Sequence, residues 1–127
     1  MTENRSYARY KTIAKARIEG INDGDTLLKD LSITGCMVEC TSQINIENNI
    51  PYKIVILPES AAKIGEFELL VEYKWRRAEA YSCEIGFVVV KSPTKKLFQR
   101  YVDYLSWRYS HGSSMTGSGG LEASQEK

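Results

Sequence analysis

The sequence lacks most of the features on which an enzyme or a membrane-spanning protein depends. It has no run of about 18 or more apolar residues, so no transmembrane helix is expected. Its N-terminus lacks the apolar core of a signal peptide, and we therefore expect a cytoplasmic protein. The only histidine, His111, lies in a Gly- and Ser-rich stretch, where it cannot be held beside a nucleophile. No P-loop, dinucleotide or zinc-protease motif is present, so we predict no catalytic residue and no enzymatic activity.

The cysteines and the charge balance exclude further classes. Cys36, Cys40 and Cys83 are an odd number in a chain without an export signal, which argues against a disulfide framework. Cys36 and Cys40 would stand about 13 Å apart on one strand, too far for two ligands of one zinc ion. We predict small buried hydrophobes, no metal site and no cofactor. The formal net charge of +1 argues against a nucleic-acid coat or a basic membrane anchor.

Short alternating segments separated by turn residues dominate the first three quarters of the chain. Their period of two predicts strands, and the number of strands favours an antiparallel barrel or sandwich. The predicted strands are 12–18, 26–31, 35–41, 52–57, 66–76 and 81–90. In the fifth of these, alternation predicts one shared face, formed by Phe67, Leu69, Val71, Tyr73 and Trp75.

The pattern changes after Ser92. Pro93 and Thr94 suit the start of a helix, and apolar residues then recur at helical spacing, which predicts a helix over 94–109 that lies on the barrel or closes one end. Three units follow. We expect a flexible N-terminal segment over 1–10, a barrel with its helix over 11–109, and a disordered Gly/Ser-rich tail over 110–127.

Two short motifs could bind an anion that carries guanine. Arg5 and Arg9 form an Arg-x-x-x-Arg pair, whose guanidinium forks can grip phosphates or the O6 and N7 edge of guanine. In Asp30-Leu31-Ser32-Ile33-Thr34-Gly35, the Asp30 carboxylate can accept from guanine N–H groups and the Ser32 hydroxyl can bond a ligand. Gly35 would permit a positive φ. Each motif also has a plain interpretation, as a solvated basic arm and as a strand-end turn.

The two motifs together resemble the PilZ domain family. The family pattern is Arg-x-x-x-Arg followed by Asp or Asn-x-Ser-x-x-Gly, and Arg5, Arg9, Asp30, Ser32 and Gly35 match every fixed position. A strand with Trp75 and the later pair Gly86-Phe87 also agree with many members. The resemblance covers about residues 4–109 and implies an all-β protein with a C-terminal helix, built as a six-stranded antiparallel PilZ-type barrel.

The resemblance further implies a receptor for cyclic di-GMP, a bacterial second messenger. Arg5 and Arg9 would bind its phosphates and guanine faces, Asp30 and Ser32 would read a guanine edge, and Gly35 would allow a tight turn beside the ligand. Trp75 either stacks on a guanine or packs in the core. Members regulate motility, exopolysaccharide and biofilm formation, adhesion or virulence, so a protein partner of unknown identity is expected, with no membrane insertion.

Two other functions compete with this one. Some PilZ-like domains are adaptors that bind proteins and no nucleotide, but these usually lack the arginine pair or the Asp-x-Ser motif. A small barrel with exposed aromatics could also bind an oligonucleotide, but the near-balance of acids and bases provides no basic stripe for it. We therefore expect no nucleic-acid partner.

Overall fold

The computed structural model describes residues 8–21, 25–41 and 44–112. Six strands and one α-helix follow one another along the chain, with a short 3-10 helix, Ser60–Ala62, between the fourth and fifth strands. The elements are β1 (Tyr10–Ile18), β2 (Thr26–Leu31), β3 (Gly35–Cys40), β4 (Pro51–Leu57), β5 (Phe67–Ala78), β6 (Cys83–Lys91) and α1 (Lys95–Gly112).

The strands close into a barrel in the order β1-β2-β3-β6-β5-β4, and every neighbouring pair is antiparallel. Closure leaves no unpaired sheet edge along the paired lengths of the strands. Because all pairs are antiparallel, the start of β1, the turn between β2 and β3, the end of β4 and the start of β5 meet at one rim. We call this the upper rim, and the opposite one the lower rim.

Inward-pointing side chains of every strand fill the barrel, as the period-two pattern predicts. The largest fully buried ones on the strands are aliphatic or aromatic: Ile18, Leu28, Leu31, Val38, Ile54, Ile56, Phe67, Leu69, Val71 and Ile85. The three cysteines are free and fully buried in the same core, so the prediction of small buried hydrophobes is confirmed. Cys40 and Cys83 stand opposite each other on β3 and β6.

The helix packs across the upper rim against the beginnings of β1 and β5. Its inner face supplies four buried residues to the core: Phe98, Tyr101, Val102 and Leu105. The Phe67 ring stacks on Phe98 at 5.8 Å between centroids and tilts against Tyr101 at 5.7 Å. The helix therefore closes this end of the barrel. Among the described residues, no helix is both long and apolar enough to cross a membrane.

Two expected boundaries need correction. α1 continues to Gly112, three residues beyond the predicted end, so residues 110–112 belong to the helix; residues 113–127 lie outside the described ones. Tyr10, assigned to the N-terminal segment, is the first residue of β1. The Thr94 hydroxyl, just before α1, accepts the backbone N–H of Glu68 at 2.9 Å and so links the start of the helix to β5.

Candidate functional site

The tight turn between β2 and β3 is built by Ser32. Its side chain is 1% exposed, and its hydroxyl oxygen accepts the backbone N–H groups of Thr34 at 3.2 Å and Gly35 at 3.1 Å. The Ser32 backbone N–H donates to the Gly35 carbonyl at 2.8 Å. Ser32 therefore holds the shape of this turn, and a direct contact between its hydroxyl and a ligand stays a prediction.

Arg9 reaches back over this turn and meets Asp30. Its Nη2 lies 2.9 Å from Asp30 Oδ1, an ion pair between a half-exposed guanidinium and a carboxylate that is 19% exposed. Asp30 Oδ1 itself is buried and receives no hydrogen bond of good geometry from the described residues. The contact is thus mainly electrostatic, and it leaves the hydrogen-bonding capacity of this carboxylate oxygen available.

Gly35 is required here for a close approach, and the expected positive φ is wrong. Of the described glycines, Gly20 is the one with a positive φ. A Cβ at Gly35 would come within 3.0 Å of the Phe87 carbonyl oxygen and 3.2 Å of Arg9 Nη1. The missing side chain therefore lets the arginine lie directly on the backbone of β3.

Trp75 lies on the outer face of the barrel, which corrects the expected shared face of β5. The register of β5 against β6 shifts between Tyr73 and Trp75, so that Tyr73 pairs with Phe87 and Trp75 with Gly86. This bulge at Lys74 turns Trp75 outward, and it is 39% exposed. Its indole occupies the space above Gly86, where a Cβ would stand 2.2 Å from Trp75 Nε1. Core packing is therefore not the role of Trp75.

These residues surround one small cavity at the upper rim. It has a volume of about 190 Å³, and its lining comprises Arg9, Asp30, Thr34, Gly35, Lys74, Trp75, Phe87 and Val88. Four predicted site residues thus meet there, although they come from three separate segments of the chain. Ser32 does not line the cavity, and Arg5 lies outside the described residues. A second cavity of about 610 Å³ adjoins it, because Asp30 lines both.

Sequence reasoning missed Lys74, which contributes a further cation. The alternating pattern of β5 placed it on the opposite face from Trp75, whereas the bulge brings both residues to the same cavity. It also missed the reason for a glycine at position 86, which is that a side chain there would overlap the indole of Trp75. A Gly paired with a Trp across two strands is the signal that could have indicated this contact.

A second polar cluster lies beside the larger cavity and joins the helix to β1. The Thr12 hydroxyl donates to Glu59 Oε2 at 2.5 Å and therefore accepts from the Tyr101 hydroxyl, 2.7 Å away. Arg108 donates to Glu59 Oε1 and, at 3.1 Å, to the Lys11 carbonyl oxygen. Burial opposes ionisation of Glu59, but the bonds from Arg108 and Thr12 outweigh it and hold the pKa of Glu59 below its usual value.

No protein-family model matches the chain, and no curated protein does. Among solved structures, the Bacillus subtilis inhibitor of motility MotI/DgrA matches with a TM-score of 0.70 and 15% sequence identity. The match covers 87% of this chain and 53% of that one, so the chain spans about half the length of its neighbour.

The fold is PilZ-like. At 15% identity the likeness concerns the fold alone, and it agrees with the closed six-stranded antiparallel barrel followed by a C-terminal helix. The predicted fold class is therefore confirmed. Function has to be argued from the residues of the upper rim, since one fold can carry many functions.

Proposed function

We propose that this protein is a receptor for cyclic di-GMP that regulates a partner protein when the ligand binds. The observation that supports this most strongly is the meeting of Arg9, Asp30, Gly35 and Trp75 around one cavity. These residues lie far apart along the chain, and their side chains offer the groups that a guanine dinucleotide would need.

The chemistry of the cavity fits a guanine dinucleotide. A guanidinium and an ammonium, on Arg9 and Lys74, suit phosphate oxygens, and the carboxylate of Asp30 suits the N–H edge of guanine. The half-exposed indole of Trp75 offers a flat surface to a base, a contact worth about 1–3 kcal/mol per base. The ligand has two negative charges and two flat bases, so each group has a counterpart.

The size of the cavity indicates how the ligand lies. Its volume of about 190 Å³ is smaller than the roughly 300–1,000 Å³ of ordinary small-molecule pockets. One guanine can enter beside Trp75, and the remainder of the dinucleotide extends over the larger cavity on the other side of Asp30. The upper rim would then bind the ligand as an open groove.

Ligand binding would exchange partners within the site. In the free protein Arg9 is paired with Asp30. When the nucleotide enters, phosphate oxygens replace the carboxylate as partner of Arg9, and guanine N–H groups replace Arg9 as partner of Asp30. This exchange would redirect the guanidinium of Arg9, so the surface at the upper rim would change. This population shift would be the signal that a partner protein reads.

A regulatory output is the more specific part of this proposal. The similar solved structure is named an inhibitor of motility, which places a regulator on this fold. We propose that the barrel acts through contact with a separate protein, in motility or another surface-associated process such as exopolysaccharide formation, adhesion or virulence.

Isothermal titration with cyclic di-GMP tests the proposal, with GMP and cyclic di-AMP as controls. The wild type should bind cyclic di-GMP alone among the three. Arg9→Ala should weaken binding about tenfold or more, because a charge-assisted hydrogen bond contributes about 1.5–3 kcal/mol. Arg17→Ala is the matched control, since Arg17 is exposed near the far end of β1, the strand that follows Arg9, and is distant from the upper rim. A wild type that binds none of the three nucleotides would overturn the proposal and favour the adaptor function.

A further inference from the structure

The backbone of β1 loses its partner strand before it reaches the upper rim. The pairing of β1 with β4 ends at Lys15 opposite Leu57, whereas β1 itself continues back to Tyr10. On its other side, β1 pairs with β2 through a bulge between Lys11 and Ala14. A strand that is irregular on one side and unpaired on the other is ordinarily a mobile end.

Beyond the end of β4, two charged side chains form hydrogen bonds with the backbone of β1. The carboxylate of Glu59 accepts the backbone N–H of Ile13 at 3.4 Å, and Arg108 donates to the backbone carbonyl of Lys11 at 3.1 Å. Arg108 also donates to Glu59, so the two side chains form one unit that continues the hydrogen bonding of the missing strand.

The helix also contacts Tyr10, the residue of β1 that precedes Lys11. The ring of Tyr10 meets the ring of Tyr109 edge-on, with 6.0 Å between centroids. Arg108 and Tyr109, two consecutive helix residues, therefore hold Lys11 and Tyr10, two consecutive strand residues. Arg9 follows directly toward the N-terminus, and in the free protein its guanidinium lies beside Asp30 and Gly35 at the cavity.

We propose that Glu59 and Arg108 are positioning residues of the ligand site: together they fix the first residues of β1, so that the backbone of Arg9 is held beside the cavity. This rests on the proposed function for the ligand and on the hydrogen bonds above for the mechanism. Neither residue needs to touch the ligand. They reduce the ordering that Arg9 would otherwise undergo on binding, and such preorganisation raises affinity.

Both residues also line the larger cavity, so direct contact with the ligand is the alternative to exclude. Substitutions that change or keep the charge of each residue distinguish positioning of β1 from direct contact with the ligand. Glu59 is an acid facing a dianion, and Glu59→Gln would tighten binding if Glu59 acted on the ligand by charge alone. If it positions β1, the same variant weakens binding. Arg108→Lys keeps the charge but lacks the planar fork whose two nitrogens reach Glu59 and Lys11 separately. Positioning therefore predicts weaker binding, and direct attraction predicts nearly unchanged binding.

The test measures the affinity for cyclic di-GMP of Glu59→Gln, Arg108→Lys and the double variant, at a temperature where each is fully folded. We expect each single variant to weaken binding about fivefold or more, and the double variant to lose little beyond either one, because residues that act as a unit are not additive. Lys53→Gln, which removes surface ion pairs with Glu19 and Glu68, is the control and should leave the affinity unchanged. Lower melting temperatures with unchanged affinities, or tighter binding by Glu59→Gln, would overturn the proposal.

A second measurement needs no ligand. Amide hydrogen exchange and ¹⁵N relaxation report the order of residues 9–13 in the free protein. Arg108→Lys should raise exchange at Ile13 and increase backbone motion at Arg9 and Tyr10, while the lower rim stays as in the wild type. Unchanged order at these residues would refute the positioning role. Failure of the wild type to bind cyclic di-GMP would instead reject the proposed ligand, with the positioning role still decided by this measurement.

Discussion

Arg9 Nη2 lies 2.9 Å from Asp30 Oδ1, so two groups selected as ligand-binding residues are each other's partner in the free protein. The pair is half exposed on the arginine side. Exposed ion pairs contribute about 0–1 kcal/mol to stability. The arrangement therefore holds both groups near the cavity at little energetic cost, and the ligand can separate them.

This pair predicts that affinity and stability respond differently to Arg9→Ala. The melting temperature should fall by no more than about 4 °C, because a partly exposed pair contributes about 0–1 kcal/mol to folding. The affinity for cyclic di-GMP should fall about tenfold or more. Thermal unfolding followed by circular dichroism and calorimetric titration check the two parts. A large fall in melting temperature would show that the pair supports the fold.

The contact of Trp75 with Gly86 predicts that Gly86→Ala displaces the indole. The added Cβ would stand 2.2 Å from Trp75 Nε1, so the ring must rotate away. In a Trp107→Phe background, where Trp75 is the remaining tryptophan, its emission should shift to the red and ligand affinity should fall about tenfold, as expected when a stacked base contact of about 1–3 kcal/mol is lost.

Gly65→Ala provides the control for that substitution. A Cβ at Gly65 meets no atom within 4 Å, and its φ is not positive. This variant should leave the emission and the affinity as they are in the Trp107→Phe parent. Emission from Gly86→Ala that matches the parent would show that Trp75 does not rest on Gly86 in solution.

The lowered pKa of Glu59 predicts that the stability of the protein depends on pH in the acid range. Its pKa in the folded protein lies below the ordinary value of 4.5, against burial, because Arg108 and Thr12 bond its ionised form. The stabilisation is present above the ordinary value and is lost as pH falls through the lower, folded pKa. The free energy of unfolding of the wild type should therefore fall more steeply than that of Glu59→Gln between about pH 5 and pH 3. Urea titrations at several pH values check this, and parallel curves would contradict it.

Cys36 should be inert in the folded protein. Burial raises the pKa of its thiol to about 12, with a smaller opposing effect of the nearby Arg9. Thiolates are the reactive species, so alkylation at pH 8 should proceed only as fast as the protein opens. The measurement is mass-spectrometric labelling of Cys36 with and without denaturant. Rapid labelling without denaturant would show that β3 opens locally next to Arg9.

Much of the fold follows from local pattern, whereas the site depends on strand register. Alternation predicted all six strands to within a few residues, because each has one face in the core. The same alternation placed Trp75 inward, because the bulge at Lys74 depends on the pairing of β5 with β6, which the sequence of one strand does not reveal.

The turn between β2 and β3 shows a similar limit of prediction from the sequence. Asp30, Ser32 and Gly35 were predicted to form a corner, and they do, but Ser32 bonds the turn backbone and Gly35 is needed for the nearness of Phe87 and Arg9. Glu59 and Arg108 were not anticipated, because they are 49 residues apart and nothing local to either one indicates that they meet at β1.

The antiparallel closure of the barrel places the candidate site at the upper rim and the hairpin between β5 and β6 at the lower rim. Glu79 donates its backbone N–H to the Ser82 carbonyl at 2.8 Å in the hairpin between β5 and β6, and Tyr81 at its tip is 90% exposed. This hairpin lies at the lower rim, away from Arg9, Asp30 and α1. It is therefore the natural point at which to insert a fluorescent reporter or an affinity handle, since exposed loop tips tolerate insertions. Such a graft leaves both ends of the chain untouched.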